Sequence, residues 1–454
     1  MTDRREFLGR SAGALGAIAS LPVSAAAGTF AEHLSREITL AAWLDAALPT
    51  RGVTSAPARL AEDERFWARV RQQYTLAPDV LNFDNGWTNP TPRASVDALV
   101  RGARALEALP AEYLPRTWDT VSDTTVRQGL AAAMRVPPTE IALVRNATEA
   151  LNTVLLGLPL RAGDEVVCST HDYYATLDAL EQRRARDGIV LRMLQPPAPA
   201  PSLDVLAELY EAAIGPRTKL VLLTHPSNRT GQLLPVRRIA DAAHRVGAEV
   251  VVDGAQSLGL LEDPVTALGC DYYGASGHKW LGLPVGLGVL WMRPEHTGKV
   301  WPLLPPGTSA KGMGRFEWVG TSPEYVNPAA LPALAVHRSL GAVRKAERLR
   351  YLAAFWRRQL SDALPEARFY TSADPAMSVG LCTVAIPGLD PHALQMELRV
   401  RYNILVQAFS DAPAEGDRSA GVRGLRVSPN VYTTPAELDR FVTAVVSTAR
   451  AEGR

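Results

Sequence analysis

The chain lacks the features that mark several classes of protein. Its three cysteines, Cys168, Cys270 and Cys382, are too few and too widely spaced for a disulfide framework or a cysteine metal site. Its charges nearly cancel, with Lys+Arg 48 against Asp+Glu 47, and no dense basic block carries interleaved aromatic residues. These absences argue against nucleic acid as a partner, and neither a metal nor an internal repeat is indicated.

The sequence also lacks an apolar run long enough for stable membrane insertion, but its first residues resemble an export signal. Arg4-Arg5 and Phe7-Leu8 precede a mild apolar stretch that ends in small residues near Ala25–Ala27. Twin arginines are typical of the Tat class. We therefore expect residues 1–27 to be a Tat-type signal peptide, the protein to be periplasmic or otherwise exported, and the Tat translocation machinery to be a partner during export.

The remaining chain reads as a helical segment followed by alternating strands and helices. Residues 28–75 look helical and solvated, and a turn-rich loop follows at 81–93. Beyond it, short apolar β-branched runs alternate with amphipathic stretches. This alternation predicts an α/β fold, with a large domain at 76–328 that has a mostly parallel, helix-flanked sheet. The predicted strands of this domain are 140–145, 164–169, 189–194, 218–225, 248–254 and 286–292, with a further strand end near 270–276.

A second, smaller domain is predicted at the C-terminal end. The stretch 329–360 is predicted to be one long amphipathic helix that leads into an α+β C-terminal domain, residues 329–454. Strands near 378–387 and 424–429 and a final helix from Pro435 complete it. A cleft between two such domains is the usual place for a ligand.

Ligands of open α/β sheets bind beyond the carboxyl ends of the strands, and two polar segments follow predicted strands in the first half of the large domain. "RNATEALN" (145–152) begins a helix whose free N–H groups, with the Thr148 hydroxyl, suit an anion. A plain N-cap by Asn146 explains the same residues. "HPSNRTGQ" (225–232) places Asn228 on a loop, where it contacts a ligand or holds a turn.

Two further segments carry ionisable groups at strand ends. In "VVVDGAQSLG" (250–259), Asp253 ends a buried strand, and a buried carboxylate requires a cation such as a protonated heterocyclic nitrogen. Gln256 adds a further donor. In "YYGASGHKWLG" (272–282), Ser276 and His278 can reach an anion. Lys279 lies among small and apolar residues, where a lysine easily becomes a neutral, nucleophilic amine, although a lone lysine is usually a solvated loop residue.

An anion site, an aspartate for a pyridinium and a lysine for an aldehyde together match the needs of pyridoxal 5′-phosphate. "VVVDGAQSLG" followed by "SGHKWLGLPVGLGVL" resembles the core of the class V aminotransferase superfamily, fold type I of the pyridoxal-phosphate enzymes. The resemblance runs from about residue 80 to the C-terminus. The loop 406–424 and the following "LRVSPNVYTT" are closest to the isopenicillin N epimerase-like subgroup.

The resemblance implies a role for each residue around the cofactor. Lys279 is the internal aldimine lysine, and Asp253 keeps the pyridine nitrogen protonated. Gln256 and Asn228 contact the ring hydroxyl oxygen. The residues that hold the phosphate are Ala147, Thr148, Ser276 and His278.

The resemblance also implies contacts with the ring face, the partner subunit and the substrate. Tyr173 stacks on the ring, with His171 as the alternative. Gly320 and Thr321 touch the partner's phosphate, which implies an obligate homodimer with shared active sites. Arg426 binds the carboxylate of a small amino-acid-like substrate.

These residues do not choose among the reactions of the cofactor. We expect an exported enzyme that acts at the α-carbon of an amino acid or of the amino-acid moiety of a peptide-like metabolite. Transamination ranks ahead of epimerisation and of β-elimination. The loop before Arg426 has no cysteine, which disfavours desulfurase chemistry through a persulfide. A cysteine or selenocysteine lyase is the rival enzyme. A non-catalytic binding descendant of the fold is the rival from another class, and the intact Lys279, Asp253 and Arg426 argue against it.

Overall fold

The computed structural model describes residues 36–41, 53–117, 125–306, 311–410 and 421–451. The predicted signal peptide and most of the loop before Arg426 lie outside the described residues. In the described part of the chain, no helix combines the length and the apolar character that crossing a membrane requires. The strands in chain order are β1 (Leu81–Asn82), β2 (Ile141–Val144), β3 (Glu165–Ser169), β4 (Val190–Leu194), β5 (Thr218–Thr224), β6 (Glu249–Asp253), β7 (Tyr272–Ser276), β8 (Gly288–Met292), β9 (Arg368–Phe369), β10 (Cys382–Ala385), β11 (Ile404–Leu405), β12 (Gln407–Phe409) and β13 (Gly424–Val427).

The α-helices lie between these strands and at both ends of the described chain, beside a short helical segment at 36–41. In chain order they are α1 (Pro57–Leu60), α2 (Glu64–Arg71), α3 (Arg93–Ala108), α4 (Pro110–Thr117), α5 (Arg127–Met134), α6 (Ala147–Gly157), α7 (Tyr174–Asp187), α8 (Leu203–Ala213), α9 (Val236–Arg245), α10 (Val326–Leu340), α11 (Ala342–Ala363), α12 (Pro391–Tyr402) and α13 (Pro435–Ala451).

The large domain is built on a seven-stranded sheet of order β2-β8-β7-β6-β5-β3-β4. Strands β3 to β7 run parallel, and β8 is antiparallel to both of its neighbours. The α/β fold with a mostly parallel, helix-flanked sheet is therefore confirmed. Because β5, β6 and β7 are parallel neighbours, Thr224 lies beside Asp253, and Asp253 lies beside Gly274. The loops that follow these three strands therefore begin at one edge of the sheet.

Alternate residues of the central strands enter the cores on the two faces of the sheet. Val221 and Leu223 of β5 belong to the core covered by α5, α9 and α10. Leu220 and Leu222 belong to the opposite core, covered by α6 and α7. The near-continuous apolar runs of the sequence follow from this arrangement, because a parallel strand between two helical layers is buried on both faces.

The small domain has a four-stranded antiparallel sheet of order β12-β13-β10-β9, packed with α11, α12 and α13. The N-terminal helices α1 and α2 join this core, where Phe66 and Trp67 are buried with Trp356 and Phe441. The expectation of a solvated segment is therefore wrong for residues 57–71. Their apolar side chains cover a hydrophobic core that is contributed by residues almost 300 positions away in sequence.

The predicted single helix at 329–360 is also wrong, because the chain forms two helices, α10 and α11. Gly341 separates them with φ +77° and ψ 154°, a backbone conformation that residues with a Cβ rarely adopt. The apolar periodicity continues on both sides of this glycine, so it could not reveal the break. Through the break, α10 packs largely in the large-domain core and α11 in the small-domain core.

Candidate active site

The predicted site residues converge at the edge of the sheet where β5, β6 and β7 end. Lys279 lies in a tight turn after β7, in which the Gly282 N–H donates to the Lys279 carbonyl. Gly277 lets the backbone before Lys279 pack closely against Leu283, because a Cβ at position 277 would lie 2.6 Å from Leu283 Cδ1. The strand end, and not a surface loop, therefore positions the lysine.

The pKa of the Lys279 amine is lower than that of an ordinary lysine. Burial lowers its pKa to about 8; Asp253 and Asp84 oppose this shift, whereas Arg426 adds to it. Two carboxylates and one guanidinium therefore lie within electrostatic reach of the amine. At neutral pH the lysine is thus close to the point at which it exchanges a proton with a substrate.

Asp253 is a buried carboxylate, with 3% of its surface exposed. Its Oδ1 accepts a hydrogen bond of 3.0 Å from the Ala255 N–H. Burial raises its pKa, and the Lys279 amine partly offsets that effect. A protonated ring nitrogen would supply the opposite charge that such a carboxylate requires.

The carboxamide of Gln256 is held in one orientation by two neighbours. Its Oε1 accepts a 2.7 Å hydrogen bond from the indole N–H of Trp280, and its Nε2 donates 2.8 Å to the Gly86 carbonyl. An indole nitrogen can only donate, so the oxygen must face Trp280. The second N–H of Nε2 has no partner among the described hydrogen bonds and remains for a ligand.

Asn228 Oδ1 and His278 Nδ1 are buried polar atoms of the site that have no hydrogen-bond partner in the described structure. Buried polar atoms are nearly always paired, so two such atoms in one site indicate a ligand that pairs them. Burial, with the Lys279 charge, lowers the pKa of His278 to about 4, and the imidazole is therefore neutral. A ring hydroxyl at Asn228 and a phosphate oxygen at His278 would fit these atoms, as pyridoxal 5′-phosphate requires.

The start of α6 lies beside Ser276, as predicted for a phosphate site. The Ala147 N–H donates 2.9 Å to Ser276 Oγ, which leaves the hydroxyl hydrogen free to donate to an anion. Asn146 also caps the helix through the Glu149 N–H, so the plain cap and the anion site coexist. Thr148, half-buried, follows in the first turn.

The two aromatic candidates lie on either side of a residue that the sequence analysis overlooked, Asp172. Its carboxylate accepts from the Ser169 N–H and from the N–H and hydroxyl of Thr224, which ties the end of β3 to the end of β5. Burial raises the pKa of Tyr173, and Tyr174 and Asp253 add to this rise. Stacking by Tyr173 or His171 stays a prediction.

Arg426 of β13 brings the small domain into the site. Its guanidinium donates 3.0 Å to the Asn228 carbonyl and 2.5 Å to Asp84 Oδ1. Its Nε is buried without a hydrogen-bond partner in the described structure, so this N–H is available to donate to a substrate carboxylate. No local pattern of the sequence indicates Asp84 as the partner of this arginine, because 342 positions separate them.

Gly320 and Thr321 are the predicted residues that the single chain does not bring to this cluster by any described contact. Thr321 is exposed, and a Cβ on Gly320, which has φ +82°, would meet no atom within 4 Å. Their contact with a partner's phosphate stays a prediction.

Comparisons with known proteins show the family and the fold of the chain. Residues 83–441 match the family described as Aminotransferase class-V. The chain is 33% identical to the isopenicillin N epimerase of Amycolatopsis lactamdurans over 399 residues, which cover 84% of this chain and 98% of that protein. It is 29% identical to a probable cysteine desulfurase of Pseudomonas aeruginosa, over 81% of this chain and 94% of that one. A solved structure of a C-DES variant, with glycine covalently linked to its pyridoxal-phosphate cofactor, has a TM-score of 0.71 at 23% identity, with 83% of this chain and 98% of that chain covered.

Proposed function

Because the chain belongs to the class-V aminotransferase family and is an enzyme that uses pyridoxal 5′-phosphate, we propose that it moves a proton at the α-carbon of its substrate. The substrate is an amino acid or the amino-acid moiety of a peptide-like metabolite. The observation that carries the proposal is the position of Lys279, in the turn after β7 and within electrostatic reach of Asp253, Asp84 and Arg426.

The bound cofactor supplies an aldehyde that captures the substrate amine and a ring that accepts the electrons released at the α-carbon. Lys279 takes and returns the α-proton, since its pKa lies near the working pH. Asp253 holds a proton on the ring nitrogen. Arg426 binds the substrate carboxylate and thereby fixes which bond of the α-carbon faces Lys279.

Among the outcomes of this proton transfer, we place epimerisation first. The isopenicillin N epimerase relative, matched over nearly its whole length, supports it. Tyr173 is the candidate for a second acid, because its phenol lies within electrostatic reach of Asp253 and Arg426. Transamination, which the sequence analysis favours, begins with the same proton transfer.

A persulfide route from cysteine has less support. All three cysteines of the chain are buried, and burial raises the pKa of each thiol. A reactive thiolate requires the opposite, an exposed thiol of low pKa.

Incubation with L-amino acids and short peptides in D₂O separates these outcomes. We expect deuterium at the α-carbon and loss of chirality, with no keto acid and no sulfide. A keto acid with conversion of the cofactor to its amine form would establish transamination instead, and sulfide release would establish a lyase. No exchange at the α-carbon of any substrate would refute the proposal.

We further propose that the enzyme works as a homodimer in which Gly320 and Thr321 reach the partner's phosphate. Large apolar side chains at Trp301, Val285 and Trp87 support it, since Trp301 is 73% exposed in the single chain. Light scattering should give twice the chain mass, and Thr321→Ala should weaken cofactor retention without changing that mass. A fully active monomer would contradict this proposal.

Export remains part of the proposal and rests on the sequence of residues 1–27. A reporter fused to this segment should reach the periplasm only in cells with a working Tat system. Replacing Arg4 and Arg5 by lysine should block that transport. Secretion that survives both changes would contradict a Tat signal.

A further inference from the structure

A second lysine is buried near the site, although the proposed chemistry does not use it. Lys345, in the first turn of α11, is only 5% exposed. Its Nζ donates a 2.6 Å hydrogen bond to the carbonyl of Trp280, the residue directly after Lys279. Burial lowers its pKa to about 7. Buried lysines are rare, so this one calls for a reason beyond packing.

The hydrogen bond from Lys345 begins a series of hydrogen bonds that reaches Gln256, the residue expected to contact the cofactor ring. Trp280 makes the next hydrogen bond of the series, because its indole N–H donates to Gln256 Oε1 at 2.7 Å. Gln256 Nε2 in turn donates 2.8 Å to the Gly86 carbonyl. All members of the series are buried, so water does not compete for these groups.

The direction of each link is fixed by the chemistry of the groups. The indole of Trp280 only donates, and the carbonyls of Trp280 and Gly86 only accept, so Lys345 donates to the Trp280 carbonyl in either protonation state. Gln256 therefore cannot turn its amide over without losing both of its bonds. Movement of Trp280 would release the constraint on Gln256 Oε1 and let the remaining Nε2–H change its direction.

We propose that Lys345 is a positioning residue, which holds the Trp280 carbonyl so that Trp280 fixes the Gln256 amide for its contact with the ring oxygen of the cofactor. The proposal rests on the cofactor assignment and is independent of which reaction follows. It also connects the site to α11, the helix that begins the small-domain core after the break at Gly341.

In a purely structural role, which we call a filler role, Lys345 would only pack between helices. His337 of α10 lies close enough for the Lys345 charge to lower the pKa of its imidazole, after burial as the main cause, and its Nδ1 has no described hydrogen-bond partner. A filler role predicts that loss of the ammonium affects stability and leaves the cofactor spectrum unchanged. The two roles therefore differ in a spectroscopic readout.

The test follows the pH midpoint of the visible absorbance of the cofactor-loaded protein. An amide N–H at the ring oxygen stabilises negative charge there, so a misdirected amide should raise this midpoint. For the loss of one well-aligned hydrogen bond we expect a rise of about half to one pH unit in Lys345→Met. Trp280→Phe should give a similar rise, and the double variant no more than either single one. Lys219→Met, which removes an exposed lysine of β5, is the matched control and should match the wild type.

An unchanged midpoint in Lys345→Met, or fully additive shifts, would overturn the proposal. If Lys345→Met does not fold, Lys345→Leu carries the test, because leucine also lacks a donor for the Trp280 carbonyl and should shift the midpoint in the same direction. An unchanged midpoint there would overturn the proposal as well. A wild-type protein with no visible band would refute the cofactor assignment instead, so the two failures are distinguishable.

Discussion

Asp84→Asn is the substitution for which the structure gives the sharpest expectation. Asp84 Oδ1 lies 2.5 Å from Arg426 Nη2, and the two side chains are 14% and 5% exposed. Asparagine keeps the shape and one acceptor oxygen but removes the charge. The substrate-free protein would then hold an uncompensated guanidinium, which a bound carboxylate could neutralise.

The magnitude follows from the exchange of a charge-assisted hydrogen bond for a neutral one. The first contributes about 1.5–3 kcal/mol and the second about 0.5–1.5 kcal/mol, so the free energy of unfolding should fall by about 1–2 kcal/mol. The same difference in free energy favours carboxylate binding to Asp84→Asn, because Arg426 then gives up a neutral partner and not a charged one when it binds the ligand. The dissociation constant of the carboxylate should therefore fall about tenfold, at about 1.4 kcal/mol per factor of ten.

The assay measures denaturant unfolding and the affinity for an unreactive carboxylate, such as propionate, on the cofactor-loaded protein. Asp241→Asn is the matched control, since Asp241 pairs with Arg237 at 3.0 Å on the exposed face of α9. An exposed pair should change stability by about 0.5 kcal/mol or less. Unaltered stability of Asp84→Asn together with weaker carboxylate binding would show that Asp84 does not neutralise Arg426, and would refute this reasoning.

Three further predictions concern the same region. Tyr173→Phe should abolish epimerisation but leave α-proton exchange by Lys279 measurable in D₂O, whereas equal loss of both would argue against a separate acid. His171→Phe should keep epimerisation above that of Tyr173→Phe if Tyr173 is the residue that faces the ring. For Lys345, burial lowers the folded-state pKa to about 7, so between this pH and about 10 the unfolded chain binds more protons and stability rises with pH. Lys345→Met should remove that component, visible as a smaller rise of the unfolding midpoint over this range, and an identical rise in both proteins would contradict it.

The sequence predicted the elements whose pattern is local. The strands around Asp253 and Ser276 were readable because apolar β-branched runs end in a polar group there. The sheet then brings these ends together, and Ala147 donates a hydrogen bond to Ser276, while the phosphate contact of both residues stays a prediction. The rest of the site depends on contacts between distant segments, which no local pattern records.

Asp84 shows this limit most clearly. It reads as a turn residue in an Asn- and Gly-rich loop, and only the folded chain brings Arg426 to it. The sequence pattern does not reveal the break at Gly341 for another reason, because the amphipathic periodicity continues on both sides of it. The sequence around Trp67 predicts a solvated segment because the surface that Trp67 covers is built by the small domain.

The central claim is that Lys279 carries the cofactor. Purified protein loaded with pyridoxal 5′-phosphate should absorb in the visible, and borohydride reduction followed by peptide mass mapping should find the cofactor on Lys279. Lys279→Ala should lose the band and the modified peptide, while Lys219→Ala should keep both. Attachment to another lysine, or no visible band after loading, would contradict the account.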